Sequence, residues 1–384
     1  MSKYNFDILA NRKNTNCVKY DAFSSTLPMW VADMDFMMAP KIKEAIQKDL
    51  DVGAIGYSLI PDEFYQSFID IYKRRYNAVF SKDDMAYVSG VVAAIDSMLK
   101  SYCNKGDSVI MLTPIYHTFF SCIKGVGLNV LPSIMKYDGE NYEINFEDLE
   151  EKMSLDNSKV LLLCNPHNPV GKIFSIKELK EIDRLATKHN VLVVSDEIHG
   201  LLTNPNKKYH PYCSVISSDN FVMCLATSKA FNLAGLQSAV IVCKNHELLK
   251  RFQDAFYTDD IGEPNYFAVN ANIAALRDSE DWLDELNEYI YQNKIYFKSF
   301  IERNVPQLSV ILTEATYMVW VDISLLSDNS ELFVKRLNEE TGLLVSPGKQ
   351  FGPGGEGFFR INLATSIKNV NDACARLKKF VDGK

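Results

Sequence analysis

Five short apolar runs constrain this chain more than any other feature. SVIML (108–112), KVLLLC (159–164), NVLVVSD (190–196), FVMCLA (221–226) and SAVIVC (238–243) are rich in β-branched residues and do not alternate apolar with polar. A strand with one wet face reads as alternation, so continuous runs suit strands covered on both faces, as in a parallel sheet. Between two of them lies SIKELKEIDRLATKHN (175–190). Ser175 and Glu178 are spaced as a capping box, and Ile176, Leu179, Ile182, Leu185 and Ala186 recur at helical spacing. This reads as a strand, helix, strand unit. Repeated, it predicts an α/β domain with ligands at the carboxyl ends of its strands.

After about residue 280 the texture changes. A long charged helical stretch (281–303) is followed by strand-like LSVIL and MVWVDI, a further helix and FFRINLAT. The expectation is a large α/β domain over 45–280 and a smaller α+β domain built from 281–384 with an N-terminal arm, 1–44. A chain of 384 residues has ample material for both cores.

Charge and composition exclude several classes. With 41 basic against 49 acidic residues the net charge is −8, and no dense Lys/Arg block is present, which argues against nucleic acid as a partner. No stretch approaches the length of a membrane span and the first residues lack a signal-peptide core, so a cytoplasmic location is expected. The eight cysteines lack CxxC spacing and several sit in the apolar runs, where a free thiol acts as a small hydrophobe. No disulfide or metal role follows.

Polar groups then stand out at the strand ends. NVLVVSDEIHG finishes in Asp196 and Glu197, with His199 three residues after the aspartate; KVLLLC runs into Asn165, Pro166, His167, Asn168 and Pro169. FVMCLA leads through Thr227 and Ser228 to Lys229. An unpaired amine is costly to bury, so a lysine followed at once by AFNLAG invites a chemical reading. Each group alone has an ordinary alternative: a helix cap, a turn, a solvated lysine.

In combination they carry more. NPHNPVG, SDEIH, SKAFNLAG and a late arginine in GFFRINLAT occur in the order of the fold-type I enzymes that use pyridoxal 5'-phosphate, and the chain resembles that family from PMWVADMDF (28–36) to INLAT. The resemblance implies a mostly parallel seven-stranded sheet flanked by helices, a smaller α+β domain, and a homodimer with a shared active site. It makes Lys229 the amine that holds the cofactor aldehyde as a Schiff base and, once released, the base that moves the substrate's α-proton.

The same resemblance distributes the other roles. Asp196 would keep the ring nitrogen protonated, whereas alternation along the strand aims Glu197 to the other side. Asn168, and with it His199, would face the phenolic oxygen. Gly90, Val91 and Val92, at a strand-to-helix turn in YVSGVVAAIDSMLKSY, would cradle the phosphate with backbone N–H groups, helped by the hydroxyls of Thr227 and Ser228. Tyr57 would reach the phosphate from the neighbouring subunit. Tyr116 would stack on the ring. Arg360 would grip the substrate α-carboxylate bidentately, a structural ion pair being its rival role, and Trp30 and Ala32 would line the substrate pocket. Members of the family often carry an arginine eight residues after the lysine; here Gln237 stands there, and that charge is missing.

These core residues serve transamination and elimination alike. The motifs MWVADMDF, TPIYHTFF, CNPHNPVG, VSDEIHG, SKAFNLAG and GLLVSPGKQFG look most like the cystathionine β-lyase and C–S lyase branch, the MalY/PatB type. That implies β-elimination from cystathionine or related cysteine conjugates. An aminotransferase of the same fold is the alternative, and a regulatory cofactor binder without turnover a more distant one. A nicotinamide-binding oxidoreductase is disfavoured because no GxGxxG follows an early strand.

Overall fold

A computed structural model describes residues 3–383. The five apolar runs are strands of one seven-stranded sheet: β1 (Met85–Val88), β2 (Ser108–Thr113), β3 (Asn129–Ile134), β4 (Ser158–Cys164), β5 (Leu192–Asp196), β6 (Phe221–Leu225) and β7 (Ala239–Val242), in spatial order β1-β7-β6-β5-β4-β2-β3. Neighbours from β3 through β6 pair parallel. The run at 238–243 departs from the expectation: β7 is antiparallel to both β1 and β6. A parallel return needs a crossover, usually a helix. Here the link from β6 to β7 is spent on the turn that carries Lys229 and on a single 3-10 turn at Ala234–Leu236, so the chain comes straight back.

Alternation within the continuous runs explains their composition. Val109, Met111, Val160, Leu162, Leu192, Val194, Val222 and Cys224 pack on one face, and Ile110, Leu112, Leu161, Leu163, Val193, Phe221, Met223 and Leu225 on the other. Both faces are covered, as a parallel sheet requires. Helix α1 (Val91–Tyr102) starts at Gly90, at the carboxyl end of β1. Helix α2 (Ile176–His189) has the expected capping box between Ser175 and Glu178 and ends on Asn190 in the left-handed region. Its buried stripe is Leu179, Ile182, Leu185 and Ala186; Ile176, in the first turn, stays exposed.

A second sheet joins β8 (Ser309–Ile311), β9 (Met318–Asp322), β10 (Ser346–Pro347) and β11 (Phe358–Asn362) antiparallel in the order β8-β9-β11-β10. It packs under the 25-residue helix α3 (Glu280–Asn304) and under α4 (Ile367–Asp382). The N-terminal arm serves both bodies. Leu27 and Met29 belong to the core of the second sheet, whereas Phe6, Met34 and Phe36 pack into the core of the first. Residues 1, 2 and 384, which the expected outer domain includes, lie outside the described residues. All eight cysteines are free thiols, six of them buried. Among the described residues no helix is long and apolar enough to cross a membrane.

The two bodies meet where the loop after β4 runs under the approach to β9. Gly171 takes a φ of +65°, and a Cβ there would lie 2.2 Å from the Thr313 Cβ and 3.0 Å from the Ala315 oxygen. Gly171→Ala therefore meets a clash and an unfavourable backbone region together. We expect a loss of about 3 kcal/mol in unfolding free energy, read as a lower urea midpoint at unchanged slope.

Candidate active site

The carboxyl ends of β4, β5 and β6 and the first turn of α1 surround a cavity of about 510 Å³. Ten of the residues expected at the site line it: Ala32, Gly90, Val91, Val92, Tyr116, Asn168, Asp196, His199, Ser228 and Lys229. Arg360 borders it through Asn168. Thr227, Trp30 and Tyr57 do not line it.

Lys229 follows β6 in a helix-like turn, closed by bonds from the Phe231 N–H to Thr227 O and from the Leu233 N–H to Ser228 O. Its Nζ donates to Ala32 O at 2.9 Å. Burial, and then the positive charge of Arg360, lower its pKa from the ordinary lysine value. An amine so placed gives up its proton more readily than a surface lysine.

At the end of β5, Asp196 and Glu197 part company as alternation requires. Asp196 lines the cavity and accepts from the Ile198 N–H at 3.1 Å, and burial raises its pKa to about 6. Glu197 points to the opposite face, where Ser195 Oγ (2.8 Å), the Tyr212 N–H (2.9 Å), Asn165 Nδ2 (3.2 Å) and the Tyr209 hydroxyl all donate to it. Its capacity is spent on structure.

Arg360, from the middle of β11, is buried. Its Nη1 donates to Asn168 Oδ1 at 3.1 Å and its Nη2 to Trp30 O at 3.0 Å, its guanidinium lies 4.8 Å from the centre of the Phe351 ring, and Nε has no partner. Among the described residues no ion pair neutralises it, and burial draws its pKa down to about 10. The rival role of a structural ion pair therefore lacks its carboxylate. His199 is equally buried. Its Nδ1 is unpartnered, and burial together with the charges of Lys229, Arg360 and Lys294 pulls its pKa to about 3. The imidazole is neutral at any working pH.

The departures have simple geometric causes. Thr227 Oγ1 donates to Asn272 Oδ1 at 2.6 Å, so its proton is turned away from the cavity. Trp30 acts through its backbone: the indole donates to Lys19 O, and the Trp30 carbonyl accepts from Arg360 and from Ser346 Oγ. Tyr57 stands fully exposed on a segment without regular structure, away from its own cavity.

Other residues escaped the sequence reading. Ser89, Asp96 and Ser238 also line the cavity, beside Gln237, which the sequence reading marks for its missing charge. Asn232, left-handed at φ +57°, exchanges two 2.9 Å bonds with the Met34 backbone. Asn362 Nδ2 donates to Val31 O and Asp33 O, and the Tyr317 hydroxyl donates to Ala32 O. Together they pin the strap 30–36 across the cavity. For Asn362 a signal existed: it stands two residues after Arg360 on one strand, hence on the same face.

The sequence matches the model of the aminotransferase class I and II family over residues 28–377. The chain belongs to that family. Among curated relatives, cystathionine beta-lyase PatB of Bacillus subtilis is 34% identical, the match covering 97% of this chain and 99% of that protein. Among solved structures, the PLP-bound C-S lyase of Staphylococcus hominis superposes with a TM-score of 0.94 at 30% identity, covering 99% of this chain and 98% of the other. Cystalysin of Treponema denticola, which contains a pyridoxal 5'-phosphate cofactor, gives 0.94 at 29% identity and 99% coverage of both. In this chain Asp196 and Lys229 stand at the carboxyl edge of the seven-stranded sheet, and Arg360 stands within β11 of the second sheet.

The raised pKa of Asp196 has a sign that can be measured. Between pH 4 and 6 the unfolded carboxyl is ionised while the folded one still holds its proton, so this group's contribution to stability is lost as pH rises through that window. In cofactor-free protein, Asp196→Asn should match the parent near pH 4 and exceed it above pH 6 by on the order of 2–3 kcal/mol, read by urea denaturation at each pH.

Proposed function

We propose that this protein is a pyridoxal 5'-phosphate-dependent carbon–sulfur β-lyase, cleaving L-cystathionine or related cysteine S-conjugates to a thiol, pyruvate and ammonia. The observation that carries the reading is that a lysine of lowered pKa and a buried aspartate line one cavity, while a buried arginine with no carboxylate partner among the described residues is bonded to Asn168 on its wall. A buried guanidinium with a free Nε calls for an anion, and a substrate α-carboxylate supplies one.

The residues present fit the cofactor. No side chain caps α1, so its first N–H groups are available to a phosphate, and a Cβ at Gly90 would have nothing within 4 Å, which leaves room for the anion's approach. Ser228 adds a hydroxyl. Asp196 has the burial and the position to hold a proton on a ring nitrogen. Tyr116 lies on the cavity wall for stacking. Asn168 and the open Nδ1 of His199, both on the cavity wall, would be the partners of the cofactor's phenolic oxygen. Tyr57, exposed beside Ile55 and Leu59, is assigned to a neighbouring copy's site in a homodimer, and the cytoplasm is the compartment assigned to it.

Bound in this cavity, pyridoxal phosphate would supply the electron sink that makes the substrate's Cα–H acidic and lets its Cβ–S bond break with sulfur leaving as thiolate. The chain does the rest. Arg360 fixes the substrate carboxylate. Lys229 Nζ takes the α-proton, its lowered pKa leaving it free to accept one. Ala32 O accepts from that amine and orients it within the cavity. The low pKa of that amine comes from its burial and from the positive charge of Arg360. The relatives named as C–S and cystathionine lyases favour elimination over amino transfer.

The test is pyruvate release from L-cystathionine by purified protein with added pyridoxal phosphate and no oxo-acid acceptor. Sustained release supports the lyase; no pyruvate release, with a new amino acid formed only when an oxo acid is supplied, makes it an aminotransferase. Lys229→Ala should lower the rate by about 10³-fold or more and abolish borohydride fixation of the cofactor. Arg360→Lys, which keeps the charge but loses the fork, should lower kcat/KM about 100-fold, with the larger share in KM.

A further inference from the structure

Lys294, on α3, is a buried lysine outside the cavity. It is 1% exposed, and its Nζ reaches Asn204 Oδ1 at 2.8 Å, Ala315 O at 3.3 Å and Thr313 O at 3.4 Å. All three partners are acceptors. The Asn204 amide is oriented by its own Nδ2, which donates to Thr313 O at 2.6 Å. An ammonium has three donors and a neutral amine two, so only the charged form satisfies the set. No carboxylate pairs with it, and burial brings its pKa down to about 7. A methionine would fill this volume at far lower cost. A fully buried cation with three oxygen acceptors calls for a reason.

The reason lies in what the acceptors hold. Segment 313–316 is the hub between the two sheets. The N–H groups of Glu314 and Ala315 donate to Gly171 O, and Gly171 N–H and His167 N–H close the tight loop that carries Asn168. The Thr316 N–H donates to Leu202 O at 2.7 Å, and the Leu202 N–H to His199 O at 2.9 Å. Thr316 itself adopts φ +64°, a left-handed conformation that is unfavourable for a β-branched residue and persists only where the surroundings enforce it. The next residue, Tyr317, donates to Ala32 O, the carbonyl that also takes Lys229 Nζ.

We propose that Lys294 is a positioning residue for the reaction: by bonding three oxygens under segment 313–316 it holds that strained segment in place, and with it the loops that set Asn168 and His199 against the cofactor. The inference rests on the proposed function, since it concerns groups facing the cofactor, and deepens it by adding a residue that touches neither substrate nor cofactor.

The experiment compares three variants of the pyridoxal phosphate-loaded protein. Lys294→Met removes the donors. Asn204→Ala removes the nearest acceptor and keeps the lysine. Lys298→Met is the control, cutting a similar bond from the same helix to Val310 O, farther along α3. The readouts are the pH midpoint at which the bound cofactor's absorbance changes, the dissociation constant for the cofactor, kcat and KM, and the melting temperature. Lys294→Met and Asn204→Ala should shift the absorbance midpoint in the same direction and lower kcat about tenfold with little change in KM, as expected for misplacement at a distance. Lys298→Met should lower the melting temperature and leave the absorbance midpoint at the parent's value. If both test variants keep the parent's midpoint and kcat, or if Lys298→Met moves them equally, Lys294 is a stability element only and the proposal is overturned. Should Lys294→Met fail to accumulate as folded protein, Asn204→Ala decides by the same criteria. A parent protein that binds no pyridoxal phosphate overturns the proposed function itself, and this inference with it; a parent that binds and titrates beside unaltered variants overturns the inference alone.

Discussion

Lys229 and Arg360 share one buried site, and among the described residues neither is held by a carboxylate contact. Removing a cation from water without pairing costs several kcal/mol. What offsets it is backbone: Ala32 O receives Lys229 and Trp30 O receives Arg360. Both carbonyls lie on the strap 30–36, so the placement of two cations depends on a segment with no regular structure of its own. Hence the number of side chains spent on it. Asn232 and Asn362 fix its backbone, Tyr317 shares the Ala32 carbonyl, and the pairs Lys19–Asp35 (2.7 Å) and Arg12–Asp33 (2.6 Å) fasten its acidic residues. The strap is built like a metal ligand's outer shell: its job is to hold acceptors still.

The main sheet contributes the other half of the constraint. Its strands end at nearly one level: Cys164 lies beside Asp196 and Asp196 beside Cys224, and Cys164, Asp196 and Ala226 all reach the cavity. Strand alternation then sorts polar groups without further devices. Asp196 continues the parity of Leu192 and Val194 and meets the cavity, while Glu197 takes the parity of Val193 and meets Tyr209 and Tyr212. Two adjacent carboxylates thus acquire different work from one geometric rule. The reversed strand β7 is part of the same arrangement. Because the chain returns directly from β6, its connection can be a turn shaped around Lys229.

What the sequence disclosed follows the range of each interaction. The parallel strands, the capping box of α2 and the separation of Asp196 from Glu197 depend on neighbours within a few residues, and all were legible. The direction of β7 was not, because an apolar run has the same composition in either orientation. Trp30 and Ala32 were legible as positions but not as backbone acceptors, since a carbonyl leaves no mark in residue identity. Thr227 looked like a phosphate donor until Asn272, 45 residues on, claimed its proton. Lys294 was invisible for the same reason: nothing near it in DELNEYIYQNKIYF separates a buried, three-bonded amine from the exposed lysines of an amphipathic helix.

The distribution of charge along the cavity bears on how the proposed chemistry divides its binding energy. At the α1 end stand Ser89, Gln237, Ser238 and Asp96, with Asp96 Oδ1 unpartnered, and no guanidinium. A phosphate there relies on helix N–H groups and neutral donors, which bind an anion well but add little long-range field. The cations are gathered at the other end, with Lys229 and Arg360. A second cation at the phosphate would also lower the pKa of Lys229 through space, but it would compete for the same negative charge that a substrate carboxylate brings. Leaving that end without a cation keeps the strongest attraction for an anion where the substrate has to be oriented, beside Arg360 and under the strap.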